Sequence, residues 1–184
     1  MPSLPKDTER LAFRFWREED LPLALCLWGD RAVTAMISRD PLTEAAVRER
    51  LVAEIARLED HGIQYWPIFL RSSGEHVGCC GLRPYDPRKK IYELGVHLRS
   101  AFWGQGLATE AARAAMDFAF DKLAAASLFA GHHPQNVASR HLLEKLGFAH
   151  THDELYPPTG LLHPSYLFTR EDALRARVGR APPK

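Results

Sequence analysis

The chain has few of the residues and runs that assign a protein to a specialised class. Its three cysteines, Cys26, Cys79 and Cys80, are odd in number and show no metal-ligand spacing, which disfavours a disulfide scaffold and a thiolate metal site. No apolar run reaches the ~18 residues of a membrane span, and residues 1–10 contain no signal-peptide core. We therefore expect a cytoplasmic protein with no membrane partner, whose thiols are buried and reduced.

A dominant charge of one sign is also missing. The formal net charge is +1, so no global field attracts nucleic acid, and we expect no nucleic-acid partner. With 184 residues, 46% of them hydrophobic, the chain can bury one core without disulfides or metals. We predict a single domain over residues 1–170 and a charged, frayed tail over residues 171–184.

Hydrophobic periodicity predicts an alternation of strands and helices. The clearest helix carries an apolar stripe at residues 47, 51, 55 and 58 and ends at Gly62, and another runs from the N-cap Asn136 to Gly147. Further helices are predicted after the acidic residues 18–20 and over residues 108–123. Strands are predicted over residues 11–16, 64–71, 76–82, 91–98, 127–131, 149–156 and 164–169. This order indicates a mixed α/β fold, an α+β sandwich around one sheet.

Gly104 and Gly106 lie between the strand at residues 91–98 and the next helix. Glycines there let a ligand approach the backbone, and the first N–H groups of a helix have no internal partner, so the turn can hold a phosphate or pyrophosphate. A tight turn that needs positive φ angles explains the same residues, so the turn alone leaves both interpretations open. The lysine of a P-loop is missing, and Thr109 breaks the dinucleotide-binding pattern GxGxxG.

Two motifs resemble the GNAT family of N-acetyltransferases, in particular its branch of ribosomal-protein alanine acetyltransferases. The first is Trp-Gly-Gln-Gly-Leu-Ala over residues 103–108, which matches the family's loop Arg/Gln-x-x-Gly-x-Gly/Ala at Gly106 and Ala108 but has Trp103 in the first position. The second begins with Asn-Val-Ala-Ser-Arg at residue 136 and continues with Leu-Glu-Lys-Leu-Gly-Phe from residue 143. The resemblance extends from about residue 8 to about residue 169.

The resemblance implies that acetyl-coenzyme A is the acetyl donor. It also implies a mostly antiparallel sheet that splays between its fourth and fifth strands to admit the pantetheine arm. An opened strand pair leaves backbone groups in need of a partner, which the amides of that arm provide. The implied coenzyme-binding residues are Val96, His97, Leu98, Trp103, Gly104, Gln105, Gly106, Leu107, Ala108, Thr109, Asn136 and Ser139.

Acetyl transfer to an amine needs a base for the amine proton and a donor for the leaving thiolate. Glu93 and His97 share the polar face of one strand, so we expect Glu93 to be the base and His97 a second catalytic candidate. The alternatives are a solvated carboxylate and a structural imidazole. Much of the family has a tyrosine acid where this chain has Leu143. Ser139, one turn earlier, is expected to hydrogen-bond the sulfur or to supply its proton, unless its hydroxyl serves the helix start.

The acceptor side is expected around His133, Glu154, His163 and Tyr166, with a wall built from residues 21–62. No spacing such as HExxH joins the histidines, so we predict no metal. The acceptor can be an amine-bearing small molecule or a protein N-terminus, and the protein a monomer or a homodimer.

Three functions remain open at this point. An active N-acetyltransferase is favoured by Ser139 and Glu93, whereas Leu143 favours a non-catalytic sensor or subunit that binds acyl-coenzyme A. A nucleotide-phosphate enzyme is the third.

Overall fold

Seven strands form a single sheet in the computed structural model, which describes residues 3–178. The strands are β1 (Leu11–Phe13), β2 (Tyr65–Leu70), β3 (His76–Asp86), β4 (Ile91–Leu98), β5 (Ser127–Gly131), β6 (Ala149–Tyr156) and β7 (Leu161–Thr169). The helices are α1 (Leu21–Trp28), α2 (Arg31–Thr34), α3 (Glu44–His61), α4 (Leu107–Asp121), α5 (Val137–Leu146) and α6 (Arg170–Val178). The sheet order is β1-β2-β3-β4-β5-β7-β6, and β4–β5 is the one parallel pair among these strands.

Local capping signals place the helix ends where the sequence predicts them. Thr43 caps α3 by accepting the backbone N–H of Ala46 at 3.2 Å, and Gly62 ends that helix with a φ of +69°. Asn136 caps α5, and Gly147 ends it with a φ of +91°. A left-handed residue at the end of a helix is least costly when it is glycine, which explains both stops.

The predicted frayed tail is wrong for the part that the structure describes. Residues 170–178 form α6, because Asp172 accepts hydrogen bonds from the N–H and hydroxyl of Thr169 at 2.9 and 2.6 Å and so caps the first turn. Arg177 pairs with Asp121 of α4 at 2.8 Å. The remaining residues of the predicted tail, 179–184, lie outside the described residues.

Three smaller predictions also need correction. The strand β1 ends at Phe13 rather than at residue 16, since Trp16 turns inward and its indole N–H donates to the carbonyl of Tyr65 at 2.7 Å. The strand β7 begins at Leu161, three residues before the predicted start at Pro164. Cys26 lies on an exposed face of α1, whereas the other two cysteines are buried and free.

Two apolar clusters cover the faces of the sheet. On one face α4 packs small side chains, among them Ala111 and Ala115, against Trp66 and Leu128. On the other face α1, which contributes Trp28, and α3 pack in one cluster with Tyr65. Among residues 3–178, no helix is both long and apolar enough to cross a membrane.

The strands β4 and β5 separate after a short paired stretch. They are in register at Ile91–Ser127, Tyr92–Leu128 and Glu93–Phe129, and no β5 partner follows for residues 94–98. The edge of β4 that faces β5 is therefore open along this stretch, because β3 pairs only with its opposite edge. The predicted splay between the fourth and fifth strands is confirmed.

Candidate active site

A cavity of about 770 Å³ opens where β4 and β5 diverge. Its walls are the open half of β4, the glycine turn before α4, the first turns of α5, the end of β6, and the region of α2. The predicted wall from residues 21–62 is present in part, as Ala32, Val33, Met36 and Ile37.

The glycine turn has both properties that the sequence left as alternatives. Gly104 and Gly106 have φ angles of +73° and +78°, and Gly106 is the N-cap of α4. A Cβ added at Gly104 would meet nothing within 4 Å, and one at Gly106 would meet only a guanidinium nitrogen of Arg10 at 3.6 Å. The space in front of the turn is therefore open. The positive end of the α4 dipole and unpaired N–H groups lie at this turn, which fits a pyrophosphate.

Three side chains hold the backbone of the turn. Trp103 donates its indole N–H to the carbonyl of Leu98 at 2.9 Å, and Gln105 donates to the carbonyl of Ala101 at 3.0 Å. Arg10 donates to the carbonyl of Gln105 at 3.0 Å and also pairs with a carboxylate of α4. Trp103 thus uses its polar group to shape the backbone. Of the predicted coenzyme-binding residues, two do not line the cavity, Gln105 and Thr109.

Glu93 is the last β4 residue paired with β5, and its side chain lines the cavity. Its Oε1 accepts a hydrogen bond from the hydroxyl of Tyr65 at 3.0 Å. Burial, assisted by the negative charge of Glu93, raises the pKa of Tyr65 well above its usual value, so this phenol remains a donor. The sheet therefore places a carboxylate at the apex of the split.

His97 lines the same cavity but its Nδ1 is already engaged. The indole N–H of Trp28 donates to Nδ1 at 3.2 Å. Burial lowers the pKa of His97 well below its usual value, and the charges of Arg50 and Arg83 lower it further. An indole only donates, so the ring is neutral with its proton on Nε2.

Ser139 presents a free hydroxyl to the cavity. Asn136 already caps α5, since its Oδ1 accepts the backbone N–H of Ser139 at 3.0 Å. Within residues 3–178 the Ser139 Oγ has no hydrogen-bond partner, so the hydroxyl does not serve the helix start. Leu143, one turn further on, lines the cavity with an apolar side chain.

The predicted acceptor residues divide into two groups. His133, Glu154 and His163 line the cavity, whereas Tyr166 does not. The hydroxyl of Tyr166 instead donates to Nε2 of His132 at 3.3 Å, because Nδ1 of that ring donates to a backbone carbonyl. Burial, with the nearby histidines, lowers the pKa of His163 and keeps its ring neutral.

Two tyrosines in the cavity wall were missed by sequence reasoning. Tyr85 donates its hydroxyl to Oε2 of Glu154 at 3.0 Å and stacks on Phe129. Tyr156 ends β6 and places its ring centroid 4.7 Å from that of His163. No local motif marks either residue, because both reach the cavity only through the pairing of distant strands.

Comparison with known proteins agrees with this geometry. Residues 10–149 match the acetyltransferase (GNAT) domain family. The chain is 30% identical over 142 residues, 77% of its own length and 80% of the relative's, to the uncharacterized N-acetyltransferase p20 of Bacillus licheniformis.

Solved structures show the same fold. An acetyltransferase from Agrobacterium tumefaciens matches with a TM-score of 0.76 and 26% identity, over 91% of this chain and 96% of that one. RimL, a ribosomal alpha-N-protein acetyltransferase, matches in its complex with coenzyme A with a TM-score of 0.77 and 17% identity, over 92% and 99% of the two chains.

The split sheet and the glycine turn agree with these matches, and this chain is an acetyltransferase that uses acetyl-coenzyme A. It belongs to the GNAT acetyltransferase family.

Proposed function

We propose that the protein transfers an acetyl group from acetyl-coenzyme A to a primary amine by direct attack in a ternary complex. The observation that carries the proposal is the single cavity that joins the glycine turn to Glu93 at the apex of the split. A donor bound along β4 and an amine bound near α2 would meet at that carboxylate. Holding both reactants together replaces a bimolecular collision by a positioned reaction.

The donor would lie between the glycine turn and the open edge of β4. Backbone N–H groups at residues 104–108 would hold the pyrophosphate, and those of Leu94, Val96 and Leu98, which point away from β3, would pair with the pantetheine amides. The carbonyl of Leu98 already accepts from Trp103, so it is not available for that pairing. Bound acetyl-coenzyme A supplies the thioester.

Glu93 would take the proton that the amine must lose before it attacks. The new carbon–nitrogen bond forms as the carbon–sulfur bond breaks, the second proton lost by the amine nitrogen passes to the departing thiolate, and the Ser139 hydroxyl donates a hydrogen bond to that sulfur. A role for His97 in proton transfer stays a prediction, and the geometry argues against it as a base, because its Nδ1 is bonded and its pKa is lowered. Its Nε2–H remains as a donor.

The cavity wall favours a cationic acceptor. Glu93 and Glu154 line it, and none of the described lining residues is a lysine or an arginine. An ammonium group is attracted to such a wall, and the apolar residues of the α2 region would contact its organic part. Small-molecule amines and protein N-termini both fit. RimJ/RimL-like action on a ribosomal protein N-terminus is the narrower form of the proposal.

The test is a thiol-release assay with acetyl-coenzyme A over a panel of amines and N-terminal peptides, with the product identified by mass. Turnover on at least one acceptor, with kcat lowered at least about tenfold in Glu93→Gln, is the expected result. Binding of coenzyme A without turnover on any acceptor would favour the sensor. Better thermal protection by ATP or NAD than by coenzyme A would favour the nucleotide-phosphate enzyme.

A further inference from the structure

The side chain of Tyr65 starts on β2 and ends above β4. Tyr65 is paired with Gly81 of β3, and Gly81 is paired with Gly95 of β4, so the three residues form one row across the sheet. Neighbouring strands are about 4.8 Å apart, so a side chain that reaches β4 from β2 must pass over β3. At the far end of the row the ring lies over Gly95, which carries no side chain to block it.

This arrangement requires a glycine at position 95. A Cβ added there would overlap with Cζ and Oη of Tyr65, and it would lie 2.5 Å from Cε2. The phenol ring thus occupies the volume that any other residue at this position would fill. Glycine in a strand interior weakens the strand, so its presence here indicates a close approach.

The hydroxyl of Tyr65 reaches the carboxylate at the apex of the split. Glu93 precedes Gly95 by two residues and therefore lies on the same face of β4. The hydroxyl donates to Oε1 at 3.0 Å, and Tyr65 is only 2% exposed. A buried donor of this kind restrains the position of the carboxylate.

A second, buried carboxylate holds Tyr65 itself. Glu54 of α3 is fully buried, accepts the backbone N–H of Tyr65 at 2.8 Å, and pairs with the guanidinium of Arg83. Arg83 in turn lies 4.1 Å above the centre of the Tyr65 ring. The backbone and the ring face of Tyr65 are thus both held, which leaves the hydroxyl little freedom to leave Glu93.

We propose that Tyr65 is a positioning residue that holds the carboxylate of Glu93 aimed at the acceptor amine, and that Gly95 is glycine in order to admit it. The inference rests on the proposed function, in which Glu93 accepts the amine proton. Tyr65 itself transfers no proton. Its contribution is a hydrogen bond that is present before substrate binds, which reduces reorganisation during the reaction.

The test is the pH dependence of kcat in Tyr65→Phe, which removes the hydroxyl and keeps the ring. Loss of a donor to the carboxylate disfavours the ionised base, so the acid limb of the profile should move up by about one pH unit. The matched control is Tyr85→Phe, which removes the hydroxyl bonded to the other cavity carboxylate, Glu154. That control should leave the acid limb in place.

Gly95→Ala supplies an independent perturbation. It should displace the ring and move the acid limb in the same direction, and the double variant with Tyr65→Phe should move it no further than the larger single shift, because both changes remove one hydrogen bond. Additive shifts in the double variant would contradict a shared cause.

The outcomes separate this inference from the proposed function. If Glu93→Gln lowers kcat but Tyr65→Phe keeps the wild-type acid limb, the positioning role is wrong and the base survives. If Glu93→Gln keeps the wild-type kcat and profile, Glu93 is not the base, and the positioning role fails with it. A shift in the Tyr85→Phe control alone would assign the limb to Glu154 and would overturn both assignments.

Discussion

The open space in front of Gly106 allows a matched test of the coenzyme site. Gly106→Ala adds one methyl group at a φ of +78°, and the structure offers a control of nearly equal backbone geometry, Gly62→Ala, at a φ of +69° after α3. A Cβ at Gly62 meets nothing within 4 Å, and Gly62 does not line the cavity. The two variants therefore carry the same backbone strain, and only one of them obstructs the proposed pyrophosphate position.

The strain and the obstruction have different sizes and different readouts. A left-handed alanine costs about 1–2 kcal/mol, so each variant should lower the Tm of this chain by about 2–8 °C. Keeping a phosphate from one backbone N–H loses a charge-assisted hydrogen bond of about 1.5–3 kcal/mol, which weakens coenzyme A binding about ten- to hundredfold. That second loss is expected for Gly106→Ala alone.

The assay combines calorimetric titration with coenzyme A and thermal unfolding of each variant without ligand. Equal losses of Tm together with an affinity loss confined to Gly106→Ala are the expected pattern. Wild-type affinity in Gly106→Ala would refute the placement of the pyrophosphate at this turn. An equal affinity loss in Gly62→Ala would show that strain, and not obstruction, weakens binding.

Two further predictions concern Ser139 and His76. Ser139→Ala should lower kcat more than it weakens coenzyme A binding, because the hydroxyl is proposed to contact the sulfur as it departs. Steady-state kinetics measures kcat and isothermal titration measures the affinity. A loss of affinity larger than the loss of kcat would make Ser139 a binding residue only. Burial, with the charge of Arg99, lowers the pKa of His76 from 6.5 to about 4. The unfolded chain binds this proton more readily than the folded chain does. The free energy of unfolding is therefore unaffected by His76 above pH 6.5 and falls by about 3 kcal/mol as the pH drops toward 4. The free energy of unfolding, measured by urea at several pH values in this range, should fall more steeply with decreasing pH in wild type than in His76→Leu. Parallel pH dependences of the two proteins would contradict the assignment.

Features set by a few neighbouring residues could be predicted from the sequence. Gly62 ends α3, and Asn136 and Gly147 bracket α5, because capping depends on local geometry. The turn with Gly104 was predicted for the same reason. These signals need no knowledge of distant partners.

Contacts between distant residues could not be predicted. Tyr65 meets Glu93 across 28 positions in the chain, and Arg10 meets Gln105 across 95. Nothing in the local sequence indicates that a tyrosine on β2 passes over β3 to reach β4, although Gly95 within an otherwise regular strand was the available signal. Residues 170–178 are a different case, because the cap between Thr169 and Asp172 that begins α6 is local and the sequence reasoning missed it.

The most direct test of the account is a crystal structure of the protein with coenzyme A. The account predicts the pyrophosphate against the backbone N–H groups of residues 104–108, the pantetheine arm along the open edge of β4, and the sulfur within reach of the Ser139 hydroxyl. Coenzyme A bound elsewhere, with β4 and β5 still open and the turn free, would contradict it.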